Sequence, residues 1–213
     1  MKLAYGKFDP DLNPPPFSSW SAVFSVVEVD LFQYYSWKPK TVAFFNSWVK
    51  RNGVEILPRI GIRLQRSPEE YQDAIAIWRE RFHDQTIGFL VHSGRKEWIP
   101  EESLKELLKL SPDEKYFFEW GKNDSVGGVE FIKRLKFFRG WVVDPDWHRR
   151  SLPRLNDSRL IFKLHGWCDE RWVRRYGDPH SIRILQTVKK CEGAVLILSY
   201  SGKLAEAGLF SRS

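Results

Sequence analysis

The sequence predicts an α/β fold, a compact (β/α)8 TIM-like barrel. Three observations carry that expectation. Runs rich in β-branched and aromatic residues alternate with stretches of helical spacing, which specifies parallel strands joined by crossovers. Eight such runs can be counted along the chain. Most of them also carry a polar residue at or near the end. VVEVD holds Glu28 and closes on Asp30, IGFLVH closes on His92, and YFFEW holds Glu119. WVVD closes on Asp144, LIFKLHG holds Lys163 and His165, and VLILSYS holds Ser199 and Ser201. Strand side chains alternate between faces, so polar residues of one parity would ring one mouth of a closed barrel, where such barrels keep their chemistry.

The elements follow in order. Lys2 to Gly6 reads as the first strand, and Asp9 to Pro16, with four prolines, as a rigid loop. Phe17 to Phe24 suggests a short helix capped by Ser18 or Ser19. Ser25 to Leu31 is β-branched and predicts a strand. Val42, Phe45, Trp48 and Val49 have helical spacing within Pro39 to Arg51, and Asn52-Gly53 stops that helix. Val54 to Leu64 reads as a strand interrupted by Pro58. Ser67-Pro68-Glu69-Glu70 combines a cap, a first-turn proline and acids favoured by the helix dipole, and starts a helix to about Phe82.

Thr86 to His92 is the next strand, and Pro100 to Leu110 a Leu-rich helix. Tyr116 to Trp120, Trp141 to Asp144, Arg159 to His165 and Ala194 to Tyr200 complete the strands. Val129 to Phe138, His180 to Cys191 and Lys203 to Phe210 read as helices. Pro145 to Asp157 is polar and broken by proline, so the sixth helix is expected to be missing or degenerate. A doubly wound open sheet would want a Gly-rich phosphate turn after its first strand, and KFDPD is no such turn.

The 213 residues suit a single domain spanning 1–213, near the lower limit for this fold. A 42% hydrophobic share with ten tryptophans excludes a disordered chain. The net charge of +7 permits an anionic partner such as nucleic acid. It equally fits a densely charged thermophile surface, since Asn, Gln, Met and Cys are scarce. Cys168 and Cys191 lack a CxxC spacing, which excludes a cysteine-built zinc site. They read as reduced thiols of a cytoplasmic protein, with a disulfide between them as the alternative. The opening MKLAYGKFDPDLN turns polar too soon for a signal peptide, and no apolar run approaches the ~20 residues of a membrane span.

Four segments share their order and spacing with a known family. VVEVDLFQYY (Val26 to Tyr35) resembles the signature of the YecE-like family, domain of unknown function 72: a strand carrying VE, then an aromatic stretch. FFEW (Phe117 to Trp120) resembles a family strand reading roughly VEFR. FKLHG (Phe162 to Gly166) resembles its RxHG strand, with Tyr176 where a tyrosine follows. SYSGKLAEAG (Ser199 to Gly208) resembles the closing segment, where paired asparagines precede an Ala-rich helix. The resemblance implies a TIM-like barrel and says little about activity. By analogy of fold alone, likeness to a metal-dependent apurinic endonuclease points toward nucleic acid. The chain departs from the family in lacking its opening Gly-Trp pattern. Lys163 and Trp120 replace arginines, and Ser199 and Ser201 stand in the asparagine region.

The candidate catalytic residues are Glu28, Glu119, Asp144 and His165. Glu28 and Asp30 share a face, and their repulsion would divide them into one acid and one base. Alternatively, Glu28 is buried and paired with Arg59, Arg63 or Lys163. Glu119 sits among aromatics, where a carboxylate needs a partner or works as an acid of raised pKa. Lys163, Arg63, Asp30, His92 and Tyr176 are the candidate substrate contacts. Trp147 and Arg149, with His148 and Arg150, make a basic aromatic loop suited to stacking and phosphate contact. The same loop reads as solvated scaffold. Acids and histidines at several strand ends would suit a divalent metal such as zinc or manganese, although no tight ligand spacing selects one. Together these residues suggest a hydrolase acting on a phosphodiester or nucleic acid. The alternatives are a non-catalytic nucleic-acid-binding barrel and a glycosidase-like sugar-processing barrel.

Overall fold

The computed structural model describes residues 2–6, 24–62, 66–93, 106, 113–119, 138–143, 160–164 and 195–198. Eight strands close into one barrel: β1 Lys2–Tyr5, β2 Val26–Asp30, β3 Glu55–Ile62, β4 Phe89–Ser93, β5 Tyr116–Glu119, β6 Phe138–Val143, β7 Leu160–Leu164 and β8 Val195–Leu198. They run in sequence order, every neighbouring pair is parallel, and β8 pairs with β1. All eight C-terminal ends therefore open on the same mouth. The described helices are α1 Leu31–Ser36, α2 Pro39–Asn52 and α3 Pro68–Phe82, followed by a 3-10 turn at His83–Gln85. Of the expected Pro100 to Leu110 helix only Glu106 is described, in helical conformation, and the helices expected at His180 to Cys191 and Lys203 to Phe210, with the degenerate sixth, fall outside the described residues.

Alternation divides each strand between two cores. Ala4, Val26, Leu57, Leu90, Val142, Ile161, Val195 and Ile197 face inward and pack as one apolar layer, with Ile87 and Phe117 against it. The opposite parity supplies an outer layer of Tyr5, Val27, Val29, Ile56, Ile60, Phe89 and Val91, all buried. Between barrel and helices, buried Tyr34 packs against Trp37, Trp78 and Phe82, with ring centroids 5.2, 5.0 and 5.8 Å away. Its hydroxyl donates to Asn46 Oδ1 at 2.9 Å. Of the aromatic tail of VVEVDLFQYY, Tyr34 thus fills the core outside the barrel, while Tyr35 is exposed.

Several local signals behave as the sequence reads. Ser67 and Glu70 form a reciprocal capping box: Ser67 N donates to Glu70 Oε2 at 2.8 Å, and Glu70 N to Ser67 Oγ at 3.4 Å. Gly53 ends α2 in the left-handed region at φ 60°. Others differ. The strand read over Ser25 to Leu31 ends at Asp30, because Asp30 caps a helix beginning at Leu31. Six helical residues give no amphipathic period to read. Phe24 is not helical.

Phe138, read as a helix end, starts β6. Tyr116 pairs with Phe138 and Phe117 with Gly140, so Arg139 is an extra residue that breaks the two-residue period. Pro58 does not interrupt β3. The ladder to β4 adjusts around it. Ile56 bridges Thr86, and the regular register resumes at Arg59 with Leu90, leaving one more residue on the β4 side. That irregularity contains Gly88 at φ 143°, where a Cβ would stand 2.6 Å from Phe117 Cε2 and 2.7 Å from Lys115 O. Only glycine fits there.

Candidate active site

Glu28 on β2, Arg59 on β3, His92 on β4, Glu119 on β5 and Lys163 on β7 all have inward parity, above the apolar layer and toward the C-terminal ends. Apolar residues of the same parity seal the barrel beneath them, so their charges meet one another in the interior. Glu28, Glu119 and Lys163 are the buried charged residues among those described.

Lys163 bridges across the lumen. Its Nζ donates to Glu28 Oε1 at 2.7 Å and lies 3.0 Å from Glu119 Oε1. Arg59 closes the other side. Its Nε donates to Glu119 Oε2 at 3.2 Å and stands 3.5 Å from Glu28 Oε1. Two carboxylates therefore share two cations in a cyclic arrangement. A buried charge is costly unless paired and hydrogen-bonded, and this arrangement meets that demand. Burial works against the Arg59 charge, but Glu119, Glu28 and Asp30 outweigh it and hold the guanidinium proton more firmly than usual.

Toward solvent the ring is lined differently. His92 and Asp30 are 28% and 29% exposed at their side chains, against 2% for Glu119. His92 Nδ1 lies 3.1 Å from Glu119 Oε2, within ion-pair distance, yet its N–H is off line for a hydrogen bond. Such a bond commonly tightens only when substrate closes the site. Asp30 serves two neighbours. Its Oδ1 accepts from Phe32 N at 3.1 Å and Gln33 N at 3.0 Å, capping α1, while Oδ2 faces Arg59 Nη1 at 3.6 Å.

The structure thus brings together Glu28, Glu119, Lys163, His92 and Asp30 of the residues singled out from sequence. Asp144, His165, Arg63, Tyr176, Trp147 and Arg149 lie outside the described residues. Arg59, which sequence reasoning treats only as a partner for Glu28, occupies the centre of the site. Its signal was present: it shares the inward parity of Leu57 on β3, beside the strand carrying Glu28 and Asp30. Among the described residues no three His, Cys, Asp or Glu side chains converge as metal ligands. Glu28 and Glu119 turn toward Lys163 and Arg59 instead. No described helix is long and apolar enough to cross a membrane.

The closed parallel sheet and the charged cluster at its strand ends define a TIM-barrel protein. No protein-family model matches the chain, and no curated protein matches it significantly. Solved structures do. The chain resembles D-psicose 3-epimerase from Clostridium cellulolyticum H10, crystallised with D-tagatose, at 13% identity and TM-score 0.62, over 93% of this chain and 84% of that one. It resembles the GH99 endo-alpha-mannosidase of Bacteroides thetaiotaomicron at 12% identity and TM-score 0.56, over 94% and 83%. Tryptophan synthase from M. tuberculosis follows at 11% identity and TM-score 0.53, over 100% and 86%. At such identities the likeness is one of fold.

Proposed function

We propose that this barrel performs general acid–base chemistry on a small, polyhydroxylated, sugar-like substrate bound at its C-terminal mouth. One observation carries the reading: a partly exposed histidine stands 3.1 Å from a carboxylate that is itself buried and ion-paired. On substrate closure Glu119 takes up the Nδ1 hydrogen bond and orients the His92 ring, and Nε2 exchanges a proton with the substrate. Arg59 and Lys163 fix Glu119 from behind. The division of labour follows exposure: His92 can touch a substrate, whereas Glu28 and Lys163 are sealed beneath it.

Two other readings gain less. A glycosidase pair needs two carboxyl groups free to reach the substrate. Glu28 and Glu119 are close, since one ammonium nitrogen touches both, but both are buried. The nucleic-acid reading rests on Trp147, Arg149 and Arg150, outside the described residues. Membership of the YecE-like family remains part of the proposal. Two of its four motifs supply Glu28 and Glu119, whose convergence supports it, while Lys163 stands in place of the family's arginine.

The test is turnover. The protein is incubated in D2O with a panel of aldoses, ketoses, their phosphates and aryl glycosides, and products and deuterium uptake are read by NMR. At least one substrate should turn over, and His92→Gln should slow it by about 10²–10⁴-fold, the usual worth of a positioned acid–base group. Turnover indifferent to His92→Gln, or none across the panel, sinks the reading.

A further inference from the structure

We propose that Arg59 is an anion receptor, whose outer Nη1/Nη2 edge takes a carboxylate or phosphate group of the substrate. The proposal rests on the acid–base reading for its site and adds the substrate's charge class. Among the described residues Arg59 hydrogen-bonds through Nε alone, with Asp30 in ion-pair range of Nη1. Nε is spent on Glu119 at 3.2 Å and on Glu28 at 3.5 Å. Nη1 has Asp30 Oδ2 at 3.6 Å, beyond hydrogen-bond reach, and the other oxygen of Asp30 is committed to Phe32 N and Gln33 N. Among the described residues nothing engages Nη2.

A guanidinium held this way is a rigid fork, preorganised for two parallel hydrogen bonds to an oxyanion. The side chain is 18% exposed, against 2% or less for the two glutamates and the lysine that surround it. Gly61 follows two residues later with the same parity and pairs with His92. A Cβ built on Gly61 meets no atom of the described residues within 4 Å. Gly61 therefore lies beside His92 and one pleat further along β3 than Arg59, toward the mouth. An anion docked on Arg59 would set the rest of a small substrate against His92.

The experiment is isothermal titration of the full chain with inorganic phosphate and, separately, malonate. Four proteins are compared: the parent, Arg59→Lys, Gly61→Val and His92→Gln. Lysine keeps a charge against Glu119 but loses the fork, and valine fills the space at 61. The parent and His92→Gln should bind one or both anions saturably, and the tighter anion names the substrate class. Arg59→Lys and Gly61→Val should each weaken binding about tenfold or more, the worth of a charge-assisted hydrogen bond. Should Arg59→Lys fail to fold, Gly61→Val decides alone. No saturable binding by the parent, or equal binding by the parent and Gly61→Val, overturns the proposal. Loss of anion binding with His92-dependent turnover of a neutral sugar intact refutes Arg59 alone. Anion binding without any turnover refutes the acid–base reading alone.

Discussion

The two ends of the barrel both carry inward-parity ion pairs, and they behave as different materials. At the N-terminal end Lys2 of β1 reaches Glu55 of β3 at 2.5 Å, with side chains 51% and 32% exposed. At the C-terminal end Lys163 reaches Glu28 at 2.7 Å with both side chains sealed. The distances are alike and the environments are not. Water screens the first pair and bears part of its charge, so such pairs contribute about 0–1 kcal/mol. The second pair has only its partners to replace water, and removing one leaves a buried charge uncompensated. Geometry alone therefore does not rank ion pairs. Burial makes one end of this barrel tolerant and the other exacting.

The sharpest break of that comparison is Lys163→Met. It takes the ammonium away from Glu28 and Glu119 together, and should cost about 3–5 kcal/mol in urea unfolding. The double variant Glu28→Met with Lys163→Met removes both members and should lose clearly less than Lys163→Met alone. A double variant as unstable as the single would mean that the pair matters for packing rather than charge.

Gly88→Ala should come next. It forces a Cβ against Phe117 Cε2 and the Lys115 carbonyl at a backbone angle alanine avoids. A cost of about 1–3 kcal/mol is expected from the strain, read as a lower urea midpoint at unchanged slope. Because β4 carries His92 and pairs with β5, which carries Glu119, the change should also disturb the mouth. A loss below a few tenths of a kcal/mol would show that β4 can shift freely.

Lys2→Met should be the mildest, changing stability by no more than about 1 kcal/mol at low ionic strength and by less at high salt. The Lys163→Met effect should survive the same salt. If both respond equally to salt, the upper network is wetter than its burial indicates.

How much could be read beforehand depends on the period of each signal. Alternation in VVEVD, YFFEW and LIFKL placed Glu28, Glu119 and Lys163 on one face correctly, because a two-residue period survives in short strands. The capping box at Ser67 was legible because its partners lie three residues apart. Phe138 was misread because a bulge at Arg139 breaks the period that would have revealed it. The helix after Asp30 was missed because its aromatics face several neighbours at once, and no single stripe results.

By itself the sequence determined the fold class, the eight strands and which parity carries charge. All are consequences of local periodicity, which the chain writes along its length. Pairing across the lumen was decided only by the tertiary structure. Lys163 meets Glu28 and Glu119 over separations of 135 and 44 residues, and Arg59 meets Glu119 over 60. Barrel closure sets those distances, and no local pattern encodes them. Exposure was decided there too. Glu119, His92 and Arg59 are all polar residues of inward parity, yet depth in the barrel makes the first a buried anchor and leaves the other two facing the mouth.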